Sequence, residues 1–211
     1  MLSACARRMP GNTPPPANTT PPVASFAIVH ASPDAPNLNV YANGGIVVEN
    51  FAYGSDTGYY AVVPGTYAIQ MVSTATSASL INQNVSLEPG KSYSIFAIDS
   101  LSKIQAVTVE DNFTLPPSDS VRIRFLHFSP NAAAVDLANG SSILFGSRGF
   151  NDQEANPSLA QFSTIAAGTY NLDVRLSGSI TSVLSLPNTV LQGGKVYTIY
   201  AKGFVGGVGT Q

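Results

Sequence analysis

Cysteine occurs once in the chain, at Cys5, tryptophan not at all, and histidine only at His30 and His127. One thiol cannot close an intrachain disulfide, so stability has to come from a packed core. The same inventory excludes a Cys/His zinc site. Charge is equally scarce: Asp, Glu, Lys and Arg make up 10% of the residues, where an average domain has about a quarter. The formal net charge is −2 and the few cations are scattered, which leaves no basic field to attract phosphates and argues against nucleic acid as a partner. No run of 18 apolar residues occurs, so no segment reads as a membrane-spanning helix. His-Glu-x-x-His and Gly-x-Ser-x-Gly are absent. No catalytic residue, metal ligand or cofactor is therefore nominated.

What the chain has is apolar material and turns. Hydrophobic residues reach 44%, with 10 Phe and 9 Tyr, enough to build a core and to exclude global disorder. Compared with itself, the chain repeats. Phe26 to Pro33 recurs as Ile123 to Pro130, Tyr41-Ala42-Asn43-Gly44 as Leu137-Ala138-Asn139-Gly140, Pro64-Gly65-Thr66-Tyr67 as Ala167-Gly168-Thr169-Tyr170, and Gly90-Lys91-Ser92-Tyr93 as Gly194-Lys195-Val196-Tyr197. The spacings are 97, 96, 103 and 104 residues, so order is kept with one insertion of about seven residues in the second copy, read as a polar loop that includes Asn151 to Pro157.

Within each copy apolar residues alternate or form short β-rich runs between turn signals such as Asn43-Gly44, Pro64-Gly65 and Pro89-Gly90. The expected fold is all-β: two tandem immunoglobulin-like or transthyretin-like β-sandwich domains of seven or eight strands each, with a small barrel as the alternative closure. Residues 24–115 form the first repeat, 116–120 a proline-containing linker and 121–211 the second repeat. After Tyr197 to Ala201 the second copy runs into glycine-rich Gly203 to Gln211. It is therefore expected to lack the closing strand that the first copy has at Ile104 to Val109.

Residues 1–23 are of another kind. Met1-Leu2-Ser3-Ala4-Cys5 resembles the lipobox of bacterial lipoproteins, in which small side chains precede the lipidated cysteine. The resemblance implies that Cys5 carries acyl chains that anchor the protein in a bilayer, and that a signal segment belongs upstream of the recorded start. The stretch from Arg7 to Pro22 holds six prolines among Asn and Thr and reads as an extended tether.

The run His30-Ala31-Ser32-Pro33-Asp34-Ala35-Pro36, the Asn-Gly turn, Pro64-Gly65-Thr66-Tyr67 and Pro89-Gly90-Lys91-Ser92-Tyr93 together resemble the bacterial family known as domain of unknown function 4397. That resemblance implies a secreted or lipid-anchored protein that carries the domain in tandem, and it supplies no reaction. The second copy departs from the pattern in having Asn131 for Asp34 and Ala133 for Pro36, while its Asp136 stands where the first has Asn39.

His30 and His127 lie in phase with apolar strand neighbours, so their rings are expected to turn into the core. There the imidazole nitrogens would satisfy backbone groups of the Ser32-Pro33 and Ser129-Pro130 turns, a structural motif in preference to a metal site. Gly90-Lys91-Ser92 imitates the end of a phosphate loop, but Val85 stands where that loop needs Gly and a strand follows it, so it reads as a turn. Asp99, Glu110, Asp111 and Asp119 gather near the junction and read as solvated surface charge, with calcium as the alternative.

These readings describe a noncatalytic cell-envelope lipoprotein module for adhesion, scaffolding or recognition, lipid-anchored at the outer membrane or cell surface, with a protein or glycan partner. One alternative is a carbohydrate-binding β-sandwich using Tyr53, Tyr59 and Tyr60 as its platform. The other is an enzyme of unrecognised type.

Overall fold

The structure is a computed structural model that describes residues 22–207; Cys5 and most of the tether lie outside the described residues. Fifteen strands form four sheets among the described residues, and the chain is all-β, built as two sandwiches.

In the first half, β1 (Ala24–His30), β4 (Tyr60–Val62), β7 (Ser92–Ile98) and β8 (Gln105–Asp111) form one sheet in the order β4-β1-β7-β8. Its partner is β3-β2-β5-β6, made of β2 (Leu38–Ala42), β3 (Gly45–Phe51), β5 (Gly65–Ser73) and β6 (Ser79–Leu87). The second half repeats the scheme. One sheet runs β12-β9-β15, from β9 (Ser120–His127), β12 (Ser163–Ala166) and β15 (Lys195–Ala201). The other runs β11-β10-β13-β14, from β10 (Val135–Asn139), β11 (Ser142–Arg148), β13 (Gly168–Leu176) and β14 (Ser182–Leu191). In each half the first strand pairs in parallel with the seventh, β1 with β7 and β9 with β15. The other ladders are antiparallel.

The local sequence explains the elements. In β5, Tyr67, Ile69 and Met71 alternate with Thr66, Ala68 and Gln70, and Ile69 and Met71 are fully buried, the period-2 pattern of a strand with one covered face. Asn43 and Gly44 close the β2–β3 hairpin with φ of 50° and 79°, values that Asn and Gly adopt at least cost. Phe26, Ile28, Ile69, Met71 and Ile95 fill the space between the first two sheets. Phe125, Val135, Leu137, Leu172 and Val174 do so in the second half.

The strands β1, β7 and β9 are buried over most of their length on both faces, and the packing shows why. Val29, Phe96, Ile98, Val107 and Val109 of the β4-β1-β7-β8 sheet, with Ala31 just after β1, meet Leu126 of β9 and Phe128 just after it in one cluster, joined by Tyr200. Phe96 and Phe128 lie 4.8 Å apart between ring centroids. The two sandwiches therefore stack as four layers, with β4-β1-β7-β8 and β12-β9-β15 as the inner pair, whose strands β1, β7 and β9 are covered on both sides. Sheets buried on both faces read as near-continuous apolar runs.

Two expectations need correction. The insertion is not a plain polar loop: Asp152–Ala155 form a short helix, α1, and Pro157–Ala160 a 3-10 turn. Arg148 holds this segment by a two-pronged pair to Asp152, at 2.9 and 2.7 Å, and also donates to the Phe125 carbonyl. Asp111, expected among solvated surface charges, is 5% exposed. The reason is that it sits at the junction opposite a buried arginine.

Candidate functional site

The loop after the first strand of each half is built alike. In the first half the fully buried His30 donates from Nε2 to the Pro36 carbonyl at 3.2 Å. Ser32 Oγ donates to the Asp99 carbonyl at 2.6 Å, and Asp34 accepts the Leu101 N–H at 2.7 Å. In the second half His127 donates from Nε2 to the Ala133 carbonyl at 3.3 Å, and Ser129 Oγ donates to the Gly203 carbonyl at 2.6 Å. Asn131 accepts the Val205 N–H at 2.8 Å. Each loop thus clips the segment that follows the seventh strand of its own half.

The tautomer follows from these partners. A carbonyl can only accept, so the Nε2 of each ring carries the proton. In His127 the Nδ1 lone pair accepts the Ser129 N–H at 3.2 Å. Burial lowers the pKa of both histidines, against the opposing effect of the carbonyl bonds, so both rings are neutral at neutral pH. His30 Nδ1 has no hydrogen-bond partner, and the His30 ring centroid lies 6.1 Å from those of Phe51 and Tyr53. Among the described residues no three His, Cys, Asp or Glu side chains gather to hold a metal.

The sequence differences between the two halves at these positions have a physical cause. Asp34 and Asn131 each use a side-chain oxygen to accept a backbone N–H, which carboxylate and amide supply equally well. Likewise Asn39 accepts the Asn50 N–H at 2.9 Å and Asp136 accepts the Ser147 N–H at 2.6 Å. The Ser147 bond, above all, holds the Asp136 carboxyl below its ordinary value. Asn50 and Ser147 have φ of 51° and 52°, so each acceptor serves a strained, left-handed residue.

The most polar buried constellation lies between the halves. Arg124 projects from β9 and is fully buried. Its Nε donates to Thr198 Oγ1 at 2.9 Å, one terminal nitrogen donates to the Glu110 carbonyl at 3.0 Å, and the other pairs with Asp111. Tyr59 OH and Ser94 Oγ each donate to the second Asp111 oxygen at 2.8 Å. The Phe162 ring lies 4.6 Å from the guanidinium carbon. Burial pulls Arg124 below its ordinary pKa, opposed by Asp111, and burial raises Tyr59. Across the junction Lys202 Nζ sits 3.9 Å from the Tyr53 ring centroid. Sequence reasoning missed Arg124 because Arg122 and Arg124 alternate with Val121, Ile123 and Phe125, the pattern of a wet strand face. The overlooked signal was Leu126 and Phe128 in the phase of Arg124, an apolar continuation of the supposed wet face.

Beside this network a cleft of about 520 Å³ separates β8 from the insertion. Gln83, Thr108, Asn112, Gln153, Gln161 and Phe162 are among the residues that line it. Thr108 Oγ1 and Gln153 Oε1 have no hydrogen-bond partner. The remaining candidates fall apart. Glu110 and Glu88 hold the exposed Lys91 at 3.0 and 2.8 Å, and Asp119 bonds Ser120. Gly90-Lys91-Ser92 is a turn with Gly90 at φ 75° that enters β7. Tyr59 and Tyr60 are 47% and 40% exposed, but the Tyr59 hydroxyl is committed to Asp111 and Tyr53 lies under Lys202, so the three tyrosines form no common platform.

These features define an all-β protein whose chemistry-bearing buried side chains hold loops and layers in place. The family model described as Domain of unknown function (DUF4397) matches residues 24–138, and the chain belongs to that family. Among solved structures, the Bacillus anthracis TIE protein is similar at 8% identity and a TM-score of 0.26, covering 87% of this chain and 34% of that one. The chain thus spans about a third of that protein's length. No curated protein matches.

Proposed function

We propose that the protein is a noncatalytic, lipid-anchored module of the bacterial cell envelope that presents two tandem copies of the family domain for adhesion, scaffolding or recognition. The observation that carries this reading is the use made of the polar groups. Both histidines donate to loop carbonyls, and Arg124 and Asp111 join the two sandwiches. The arrangement makes a stiff four-layer body in which such groups hold the frame. Cys5 supplies the anchor and the proline-rich tether sets the body off the membrane by roughly 20 to 25 Å, the span of a flexible coil of about 16 residues. In this reading residues 24–115 are the first copy, residues 116–120 the linker and residues 121–211 the second copy.

The test is fractionation. Expressed behind a secretion signal in a bacterium, the full chain is expected in the membrane pellet, and Cys5→Ser is expected in the soluble fraction. A Cys5→Ser protein that still sediments with membranes removes the anchor from the account.

A second reading, carbohydrate binding, draws support from the cleft, where four amide side chains surround one aromatic ring, Phe162. Amides match sugar hydroxyls as donors and acceptors, and a ring can stack on a sugar face. A glycan array decides it: binding that Phe162→Ala abolishes establishes this reading, and an array without signal rejects it.

A further inference from the structure

The cleft between β8 and the insertion is rich in hydrogen-bond acceptors and poor in cations. Glu110 of β8 and Glu154 of α1 line it, and both are exposed. Among the described residues that line it there is no Lys, Arg or His. Lys91 is shared between Glu110 and Glu88, so a single cation serves two carboxylates there. Arg122 gives a terminal nitrogen to oxygens of Asn112 and Thr114, and Arg124 is paired with Asp111. An anionic ligand therefore finds no free counter-charge in the cleft. The buried wall has the same character. Gln153 is 5% exposed, and its orientation is fixed by a chain of partners. The Glu154 carboxylate can only accept, so the Asn151 amide nitrogen donates to it. That turns the Asn151 oxygen toward Gln153, whose own amide nitrogen donates to it. Gln153 Oε1 is left as an acceptor without a donor, a costly condition for a buried polar atom.

We propose that the cleft is a binding site for an amino sugar with a free ammonium group, the ammonium donating to Gln153 Oε1 beside the Glu154 carboxylate. An ammonium brings three donors and a positive charge to a wall of acceptors, whereas a hydroxyl brings one donor and an acetamido group one donor with an acceptor of its own. Thr108, whose Oγ1 also lacks a partner, and the amides of Gln83 and Gln161 are left to meet the ring hydroxyls. The volume of about 520 Å³ falls within the roughly 300–1,000 Å³ of small-ligand pockets. The inference rests on the carbohydrate-binding reading above and adds to it the class of sugar.

The probes are β-1,4-linked tetramers of glucosamine, of N-acetylglucosamine and of glucose, with putrescine as an amine that carries no sugar, each titrated into the full chain by calorimetry. The glucosamine tetramer should bind about tenfold more tightly than the other two tetramers and than putrescine, the worth of one hydrogen bond to a charged group. Glu154→Gln, which keeps an acceptor for Asn151, should weaken that binding about threefold, the scale of an exposed ion pair, and leave the glucose tetramer unaffected. Gln153→Met, which deletes the unmet acceptor, should weaken it about tenfold. Three tetramers that bind equally overturn the amino-sugar assignment and leave the carbohydrate reading standing, whereas no binding by any tetramer at millimolar concentration overturns both. Putrescine that binds as tightly as the glucosamine tetramer also overturns the proposal, because the rings then contribute nothing. So does wild-type affinity for the glucosamine tetramer in Glu154→Gln, which places the ammonium elsewhere even if Gln153→Met fails to fold.

Discussion

Replacing Arg124 by Met removes the charge that faces Asp111 while keeping much of the apolar volume. The remaining carboxylate still accepts from Tyr59 and Ser94, yet it stands 5% exposed without a counter-charge. The Glu110 carbonyl and Thr198 hydroxyl lose their donor as well. Breaking a buried pair from one side costs about 3–5 kcal/mol. The two surviving hydroxyl donors offset part of that, so about 3 kcal/mol is expected. Asp111→Leu leaves the guanidinium buried with two neutral acceptors and should cost a similar amount. The double variant removes both charges and exchanges an ion pair for apolar contact, a change that is often near neutral. It should lose only about 1–2 kcal/mol, because the Tyr59 and Ser94 hydroxyls still bond each other at 3.0 Å while the Glu110 carbonyl and the Thr198 hydroxyl lose the Arg124 donor. The assay is urea unfolding followed by circular dichroism, read as a double-mutant cycle. Coupling of at least about 2 kcal/mol is predicted from these terms. Single variants that each cost under about 1 kcal/mol, or that add in the double variant, would refute the claim that this pair fastens the two sandwiches.

Both histidines have folded pKa values below the unfolded value of 6.5. Their contribution to stability is therefore complete above pH 6.5 and is lost as pH falls below it toward the folded values, because the unfolded chain takes up protons first; unfolding midpoints measured from pH 8 to pH 5 should fall only in the lower part of that range, and a flat profile contradicts the burial argument. His30→Ala should destabilise the first half by about 1–3 kcal/mol through lost packing and the lost bond to Pro36, while zinc, copper or nickel should leave the wild-type melting temperature unchanged. A metal-dependent rise that disappears with His30 and His127 would show that the rings are ligands. Asp34→Asn should cost under about 0.5 kcal/mol, since Asn131 makes the same bond, and Asp34→Ala about 1 kcal/mol, the worth of one hydrogen bond; equal losses in chemical denaturation would show that charge, and not the acceptor oxygen, matters.

The all-β architecture was legible because turn signals recur along the chain between alternating runs, and a strand with one wet face writes that alternation into the sequence. The histidine loops were partly legible. The strand phase of His30 and His127 gave the direction of each ring, while the carbonyls that they reach lie six residues on, at Pro36 and Ala133, and depend on loop shape. The junction was not legible. Its fastening joins Asp111 to Arg124, and each looks like surface charge until the inner sheets are seen to be covered on both sides. The clue lay in β7, where Tyr93, Ile95 and Ala97 serve one core while Phe96 and Ile98 serve the junction. The insertion was read as polar loop because a four-residue helix is too short to show periodicity. Its anchoring pair, Arg148 with Asp152, has the helical i,i+4 spacing, although Arg148 itself belongs to β11.

The central claim is that this body is held at the envelope by a lipid on Cys5, and the most direct measurement is the mass of the N-terminal peptide from the protein purified out of bacterial membranes. Membrane partition can be inherited from a bound partner, whereas a covalent mass addition cannot. The account predicts a peptide that begins at Cys5 and carries the added mass of a diacylglyceryl group with its acyl chains. A peptide that retains Met1 to Ala4, or an unmodified Cys5 in the membrane-purified protein, would contradict it.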